Sequence, residues 1–269
     1  MKPVAFLTQH SKAVCVAPAL ASAGYEVLTV DGYDTDQLGT FTGETRRAGS
    51  QMDAAMTKAR LAVELGGCAL GLGSEGSFGP DPYVGLTAWG CEILTLWDDA
   101  QKYPVHAVVQ GPETNYAQAT VRNLQEALDF CDEALWPTHG VIIGKPGQAW
   151  FCKDSADSLP GLRQQLTDAL VNGPLWLETD MRAHRNPTRM RMIGRCAESL
   201  ANLLLSNCPA CHQPGFGKIE AIRGARCQQC GNTTTAVRAH LVTCMACQHS
   251  EEKPILETVP PSRCEYCNP

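Results

Sequence analysis

The sequence predicts an α/β fold: a layered mixed sheet with flanking helices over residues 1–207, followed by a small zinc-ribbon-like module over residues 208–269. Three observations carry this. Short β-rich apolar runs alternate with stretches of helical periodicity through the first two hundred residues. Capping and stopping residues stand where one pattern gives way to the next. Eight of the fourteen cysteines fall in the last 62 residues, as four pairs of identical C-x-x-C spacing.

In chain order, residues 4–8 form an apolar run, residues 12–23 read as a helix, and residues 26–30 form a β-rich run after Gly24. Residues 50–65 read as a helix, because Met52, Ala55, Met56, Ala59 and Val63 recur at helical spacing. Ser50 caps it with Asp53 three residues on, and Gly66-Gly67 stops it. Residues 68–72, 92–96 and 106–109 read as strands. Residues 120–135 form an amphipathic helix, and residues 139–143 and 150–152 are a pair of strands. Residues 159–171 are helical, with Pro160 suited to a first turn, and residues 175–177 are a last short strand. Asn186 caps, and Pro187 begins, a helix that runs to about Ser206.

The chain has 269 residues, 44% of them hydrophobic and 19% charged, which excludes disordered and collagen-like classes and fits one core with an appendage. Its longest apolar run, residues 13–21, contains Pro18 and falls short of the roughly 20 residues a membrane helix needs. No membrane association is expected. The apolar stretch near the N-terminus is too short for a signal-peptide core, so the cytoplasm is the expected address. The net charge of −6 gives no general attraction to phosphate backbones, and nucleic acid is not an expected partner.

A C-x-x-C turn aims two sulfurs at one point, and two such turns complete the tetrahedral shell zinc prefers. Cys208, Cys211, Cys227, Cys230, Cys244, Cys247, Cys264 and Cys267 therefore predict two structural zinc ions, four ligands each. Disulfides are the alternative, and a reducing compartment argues against them. The gaps between pairs allow sequential, nested or crossed partnerships; crossed pairing is favoured because it closes two similar loops of 32 and 33 residues. Few large apolar residues lie in this segment, so metal is expected to supply most of its folding free energy. Its charge is nearly balanced, which suits a protein partner or a cap on the main domain better than nucleic acid. The other six cysteines, Cys15, Cys68, Cys91, Cys131, Cys152 and Cys196, read as small buried hydrophobes.

Four polar stretches carry the residues suited to chemistry. The first is Thr8-Gln9-His10-Ser11-Lys12, where Lys12 beside a helix start suits a phosphate; an ordinary capped helix start is the alternative. The second runs from Gly71 to Asp81 and presents Ser74, Glu75, Ser77 and Phe78 among glycines, as a ligand loop in which Phe78 stacks on a base, or as a plain glycine-rich turn. The third runs from Glu178 to Arg189. Glu178 and Asp180 lie two apart and can share a divalent cation, while Arg182, His184, Arg185 and Arg189 crowd the start of the last helix; an internal ion-pair network is the alternative. The fourth, residues 34–47, reads as a lid or binding loop and offers Asp36 and Glu44 as further metal or acid–base candidates.

The strings GTFTGE, SEGSFGP and LETDMRAHRNPTRM, together with the four terminal knuckles, resemble a family of uncharacterised bacterial proteins in which an unknown-function α/β domain precedes cysteine knuckles. The N-terminal third is also similar to the inosine/xanthosine triphosphate pyrophosphatases. This second likeness rests on the loop bearing Lys12, the Asp36-Gln37 to Glu44-Thr45 loop, Lys58-Ala59-Arg60, and Gly71-Leu72-Gly73-Ser74-Glu75-Gly76. It implies magnesium-dependent cleavage of a non-standard purine nucleotide, with Lys12 on phosphate and Glu44 and Glu75 near the metal or nucleotide. The expected function is binding, and hydrolysis with magnesium, of a nucleotide or other phosphorylated small molecule. In that scheme Glu75, Glu178, Asp180 and Glu44 act as acids or metal ligands, and Lys12, Ser74, Ser77, Arg182, His184, Arg185 and Arg189 hold the ligand. The rival reading is a non-catalytic adaptor that uses its zinc module for protein or RNA contact.

Overall fold

The computed structural model of the chain describes residues 1–8, 11–30, 49–147 and 151–268. Glu44, Asp36 and the rest of the expected lid, and His10 of the first loop, lie outside the described residues. The chain divides into two compact units: Met1–Ala100 with His106–Ala201, and Gln101–Val105 with Asn202–Pro269.

The chain opens with β1 (Lys2–Leu7), α1 (Ala13–Ser22), β2 (Tyr25–Val30), α2 (Gln51–Gly66), β3 (Leu70–Pro80), β4 (Ala88–Asp98) and β5 (Tyr103–Gly111), all in the first unit except the start of β5, Tyr103 to Val105. These strands form a sheet of order β2-β1-β3-β4-β5, in which β1 runs parallel to both β2 and β3 while β3 and β4 form a long antiparallel hairpin. Parallel strands need crossover connections, and α1 and α2 supply them. A second sheet, β6-β9-β7-β8, is antiparallel and built from β6 (Gln118–Val121), β7 (Val141–Gly144), β8 (Phe151–Cys152) and β9 (Leu175–Thr179). Helices α3 (Leu124–Glu133) and α4 (Leu159–Leu170) bury Phe130, Leu162 and Leu166 against Val121, Ile143, Leu175 and Leu177 of this sheet. Helix α5 (Pro187–Leu205) follows β9.

Helix α2 begins where the sequence places it. Asp53 N donates to Ser50 Oγ at 3.1 Å and Ser50 N donates to Asp53 Oδ2 at 3.0 Å, a reciprocal capping box, and Gly67 ends the helix at φ 62°. Asn123 likewise accepts from Glu126 N to start α3, so residues 120 and 121 of the expected helix belong to a strand instead. The larger correction concerns residues 71–81. All but Asp81 lie in β3, and two of the glycines serve packing: a Cβ at Gly71 would lie 2.0 Å from Ala59 O, and one at Gly73 would lie 2.0 Å from Ala55 O. Helix α2 lies on bare backbone, closer than any side chain would allow.

The second unit contains β10 (Phe216–Arg223), β12 (Val237–Cys244) and β13 (Ser250–Pro254) in one antiparallel sheet, with β11 (Arg226–Cys227) and β14 (Thr258–Val259) as a short parallel pair. Among its described residues Cys208, Phe216, Val242 and Cys244 form a small buried cluster. Among the described residues no helix is long and apolar enough to cross a membrane.

Candidate functional site

The eight knuckle cysteines gather as Cys208, Cys211, Cys244 and Cys247, and as Cys227, Cys230, Cys264 and Cys267. This is the crossed arrangement, and strand pairing explains it. Antiparallel β10 and β12 place Phe216 opposite Cys244, which brings the third knuckle to the first. Parallel β11 and β14 place Cys227 opposite Val259, which brings the fourth to the second. The Sγ···Sγ distances are 3.7 Å for Cys208–Cys247, 3.7 Å for Cys211–Cys244, 3.8 Å for Cys227–Cys267 and 3.7 Å for Cys230–Cys264. Four sulfurs placed tetrahedrally about 2.3 Å from a central ion stand about 3.8 Å apart, so both groups have the dimensions of a metal cage. The knuckles repeat one turn: the residue after the second cysteine donates its N–H to the first cysteine's carbonyl at His212, Gly231, Gln248 and Asn268. Ala210 N donates to Cys208 Sγ and Gln229 N to Cys227 Sγ, each at 3.4 Å, contacts that favour the thiolate form. Each group can hold one metal ion, with no open coordination position.

The first unit assembles a buried charged cluster on β3. Pleating sends Gly71, Gly73, Glu75 and Ser77 toward α2, and Leu72, Ser74, Gly76 and Phe78 to the opposite face. On the α2 face, Lys58 Nζ pairs with Glu75 Oε2 at 2.6 Å, and Ser77 Oγ donates to Gln51 Oε1 at 2.9 Å. Gln51 Nε2 also donates to the carbonyls of Glu75 and Cys91, tying the start of α2 to the hairpin. On the other face, Lys12 Nζ donates to Ser74 Oγ at 3.2 Å. One row along, Arg189 Nε donates to Glu92 Oε1 at 2.6 Å, and its guanidinium lies 5.3 Å from the centre of the Phe78 ring. Arg189 thus takes the ring face that was expected to stack on a base.

Lys12 is 8% exposed, and Ser74 is its side-chain partner; no carboxylate lies within ion-pair distance of it among the described residues. Burial, followed by the Arg189 guanidinium, pushes its ammonium down to about 7 from an ordinary 10.5. Buried together on β3 and its neighbours are three cations, Lys12, Lys58 and Arg189, and two carboxylates, Glu75 and Glu92.

The segment from Glu178 to Arg189 does not form a shared cation site. Asp180 is fully buried and its carboxylate is taken by Arg182, whose Nη2 lies 2.7 Å from Oδ2 and whose backbone N–H donates to Oδ1 at 2.9 Å. Glu178 Oε2 instead accepts from Gln118 Nε2 at 3.0 Å and Trp176 Nε1 at 3.3 Å, and burial raises its pKa. Arg185 pairs with Asp157 at 3.3 Å on the surface, and His184 is exposed beside them. Among the described residues the only groups able to hold a metal are the two cysteine cages, so Glu75, Glu178 and Asp180 do not converge on one ion.

Two members of the cluster escaped the sequence reading. Glu92 is 1% exposed, and its signal was a lone acid opening an otherwise apolar run, EILTLW. Gln51, which bridges strand and helix, had no signal beyond its place after a cap. Of the scattered cysteines, Cys131 and Cys196 are buried and the other four are half-buried. Burial raises the Cys196 thiol to about 12, which suits an inert packing residue.

A family model described as a domain of unknown function (DUF6671) matches residues 58–269, from the lysine that pairs with Glu75 through both cysteine cages. No curated protein and no solved structure matches the chain.

Proposed function

We propose that this chain, which belongs to the DUF6671 family, binds a phosphorylated small molecule through Lys12 on its α/β unit and carries two structural zinc ions in its C-terminal unit. One observation supports the first part above the others: Lys12 is a buried ammonium at the start of a helix with a hydroxyl, and among the described residues no carboxylate, as its partner. A buried charge without a counter-ion is costly, and an anion bound there relieves the cost. Lys12 also stands after β1 at the carboxyl ends of the parallel strands, where open α/β sheets take their ligands, and the first N–H groups of α1 favour negative charge. The carboxylates nearby are engaged with Lys58, Arg189 and Arg182, so the reading rests on the cation.

Four-cysteine cages of this size suit zinc, and their closed shells assign the metal to holding structure. Elemental analysis should return about two zinc ions per chain.

The test of ligand binding is a thermal-shift titration of the zinc-loaded protein with inorganic phosphate and with nucleotides. Phosphate-bearing compounds should raise Tm in the wild type and leave Lys12→Met unmoved. If none raises Tm, Lys12 is a structural residue and a non-catalytic adaptor becomes the better account.

A further inference from the structure

We propose that Glu92 makes the Lys12 site selective for a phosphoryl group that still carries a proton, and closes it to sulfate. The inference rests on the reading of Lys12 as an anion-binding lysine and asks which anion.

Glu92 stands opposite Gly76 in the β3–β4 ladder, one row from Ser74 on the same face, so its carboxylate and the Lys12–Ser74 pair are neighbours. Their electrostatic coupling says the same, since the carboxylate of Glu92 favours the charged form of Lys12. Gly76 makes room for this acid: a Cβ there would lie 2.5 Å from Glu92 Oε1 and 2.6 Å from Arg189 Nη2. The two carboxylate oxygens are used differently. Oε1 accepts from Arg189 Nε at 2.6 Å, whereas Oε2 is buried and has no hydrogen-bond partner among the described residues. A buried acceptor left unmade is rare in a native fold and calls for a donor.

The site therefore offers an incoming anion donors from Lys12 and Ser74, and one acceptor from Glu92. Sulfate has only lone pairs to turn toward Oε2, and the meeting of two acceptors in a buried place repels. Inorganic phosphate at neutral pH, and a phosphate monoester in its monoanion form, keep a P–O–H group that donates to Oε2 while the other oxygens accept from Lys12. No bond is made or broken; the proton stays on the ligand, and the carboxylate reads its presence.

The experiment compares inorganic phosphate, sulfate and monofluorophosphate at matched ionic strength on the zinc-loaded full chain, by calorimetry and thermal shift. Monofluorophosphate is phosphate-sized and has no O–H at neutral pH, so it should group with sulfate. Phosphate should bind about tenfold or more tightly than either, the expected penalty for an unpaired buried acceptor. Glu92→Gln places an N–H donor where Oε2 was, so sulfate should gain and the preference should fall to near unity. Equal binding of phosphate and sulfate by the wild type overturns the role of Glu92 and leaves the Lys12 reading standing. Binding of none of the three, with Lys12→Met making no difference, overturns both. The three-ligand series on the wild type decides the matter even if Glu92→Gln fails to fold.

Discussion

The two units of this chain hold themselves together by different physics. In the α/β unit, apolar side chains from two sheets and their helices make extended cores, and the charged residues inside are paired across long sequence distances. In the C-terminal unit, the buried cluster has four members and two of them are cysteines. Burial of hydrocarbon stabilises the first; the second has little of it, and has instead two four-cysteine groups that can each hold a metal ion. The difference teaches where function can reside. Closed four-sulfur cages leave no coordination site for a substrate, whereas the α/β unit has a buried lysine, Lys12, at the carboxyl ends of its parallel strands.

Metal removal should separate the units most sharply. A strong chelator, or Cys244→Ser, is expected to abolish exchange protection in the affected part of residues 208–268 while β1, β3 and β4 keep theirs. Apparent zinc-binding free energies in such cages are about 10–16 kcal/mol, far more than the small cluster supplies. Zinc content should fall from about two ions to about one per chain in the single variant. Hydrogen exchange with elemental analysis checks both, and full protection of the knuckles in metal-free protein would break the comparison.

The next largest effect belongs to the α/β unit. Gly73→Ala puts a methyl group 2.0 Å from Ala55 O, beneath a helix that cannot move without losing its packing on β3. A loss of about 3 kcal/mol or more in chemical denaturation is expected, at the upper end of overpacking costs. Gly79→Ala is the control, since a Cβ there meets nothing within 4 Å and the variant should melt like the wild type.

These glycines also show how much was legible in the sequence. The C-x-x-C spacing marked the eight cysteines of the two cages because a knuckle is a local turn, and even the crossed pairing left a trace in two loops of similar length. The capping box at Ser50 and Asp53 was legible for the same reason. The run from Gly71 to Asp81 was misread as a ligand loop, because glycine permits a helix to approach as closely as it permits a phosphate, and nothing local tells the two apart. The ion pair of Arg189 with Glu92 joins residues 97 positions apart, and only the register of β3 with β4 brings them face to face. The i, i+2 argument for Glu178 and Asp180 failed where the chain leaves β9: Arg182 folds back onto Asp180, and Glu178 stays with its strand neighbours. Strands were found short for a related reason, since glycine and serine in a covered strand look like loop to any hydrophobicity rule.

Lys12 gives the third test. Its ammonium titrates at about 7 in the fold against an ordinary 10.5, so between these values the unfolded chain holds more protons and stability rises with pH. The destabilisation by Lys12 is therefore full below pH 7 and fades toward 10.5. Lys12→Met should melt several degrees above the ligand-free wild type at neutral pH, with the gap shrinking as pH rises. A variant less stable than the wild type at neutral pH would mean that Lys12 holds structure.

The smallest effect comes from the helix start that the sequence named most clearly. Ser50→Ala removes the hydroxyl that accepts from Asp53 N and leaves Asp53 Oδ2 its bond to the backbone N–H of residue 50. Half of the reciprocal cap survives, so the loss should be about 1 kcal/mol or less in denaturant unfolding. The site makes the value informative. Helix α2 carries Gln51 and Lys58 to β3, so a frayed first turn would loosen Gln51 from the carbonyls of Glu75 and Cys91. A loss well above about 1 kcal/mol would therefore mean that the cap also anchors Gln51, and that the start of α2 and the charged cluster on β3 unfold as one element.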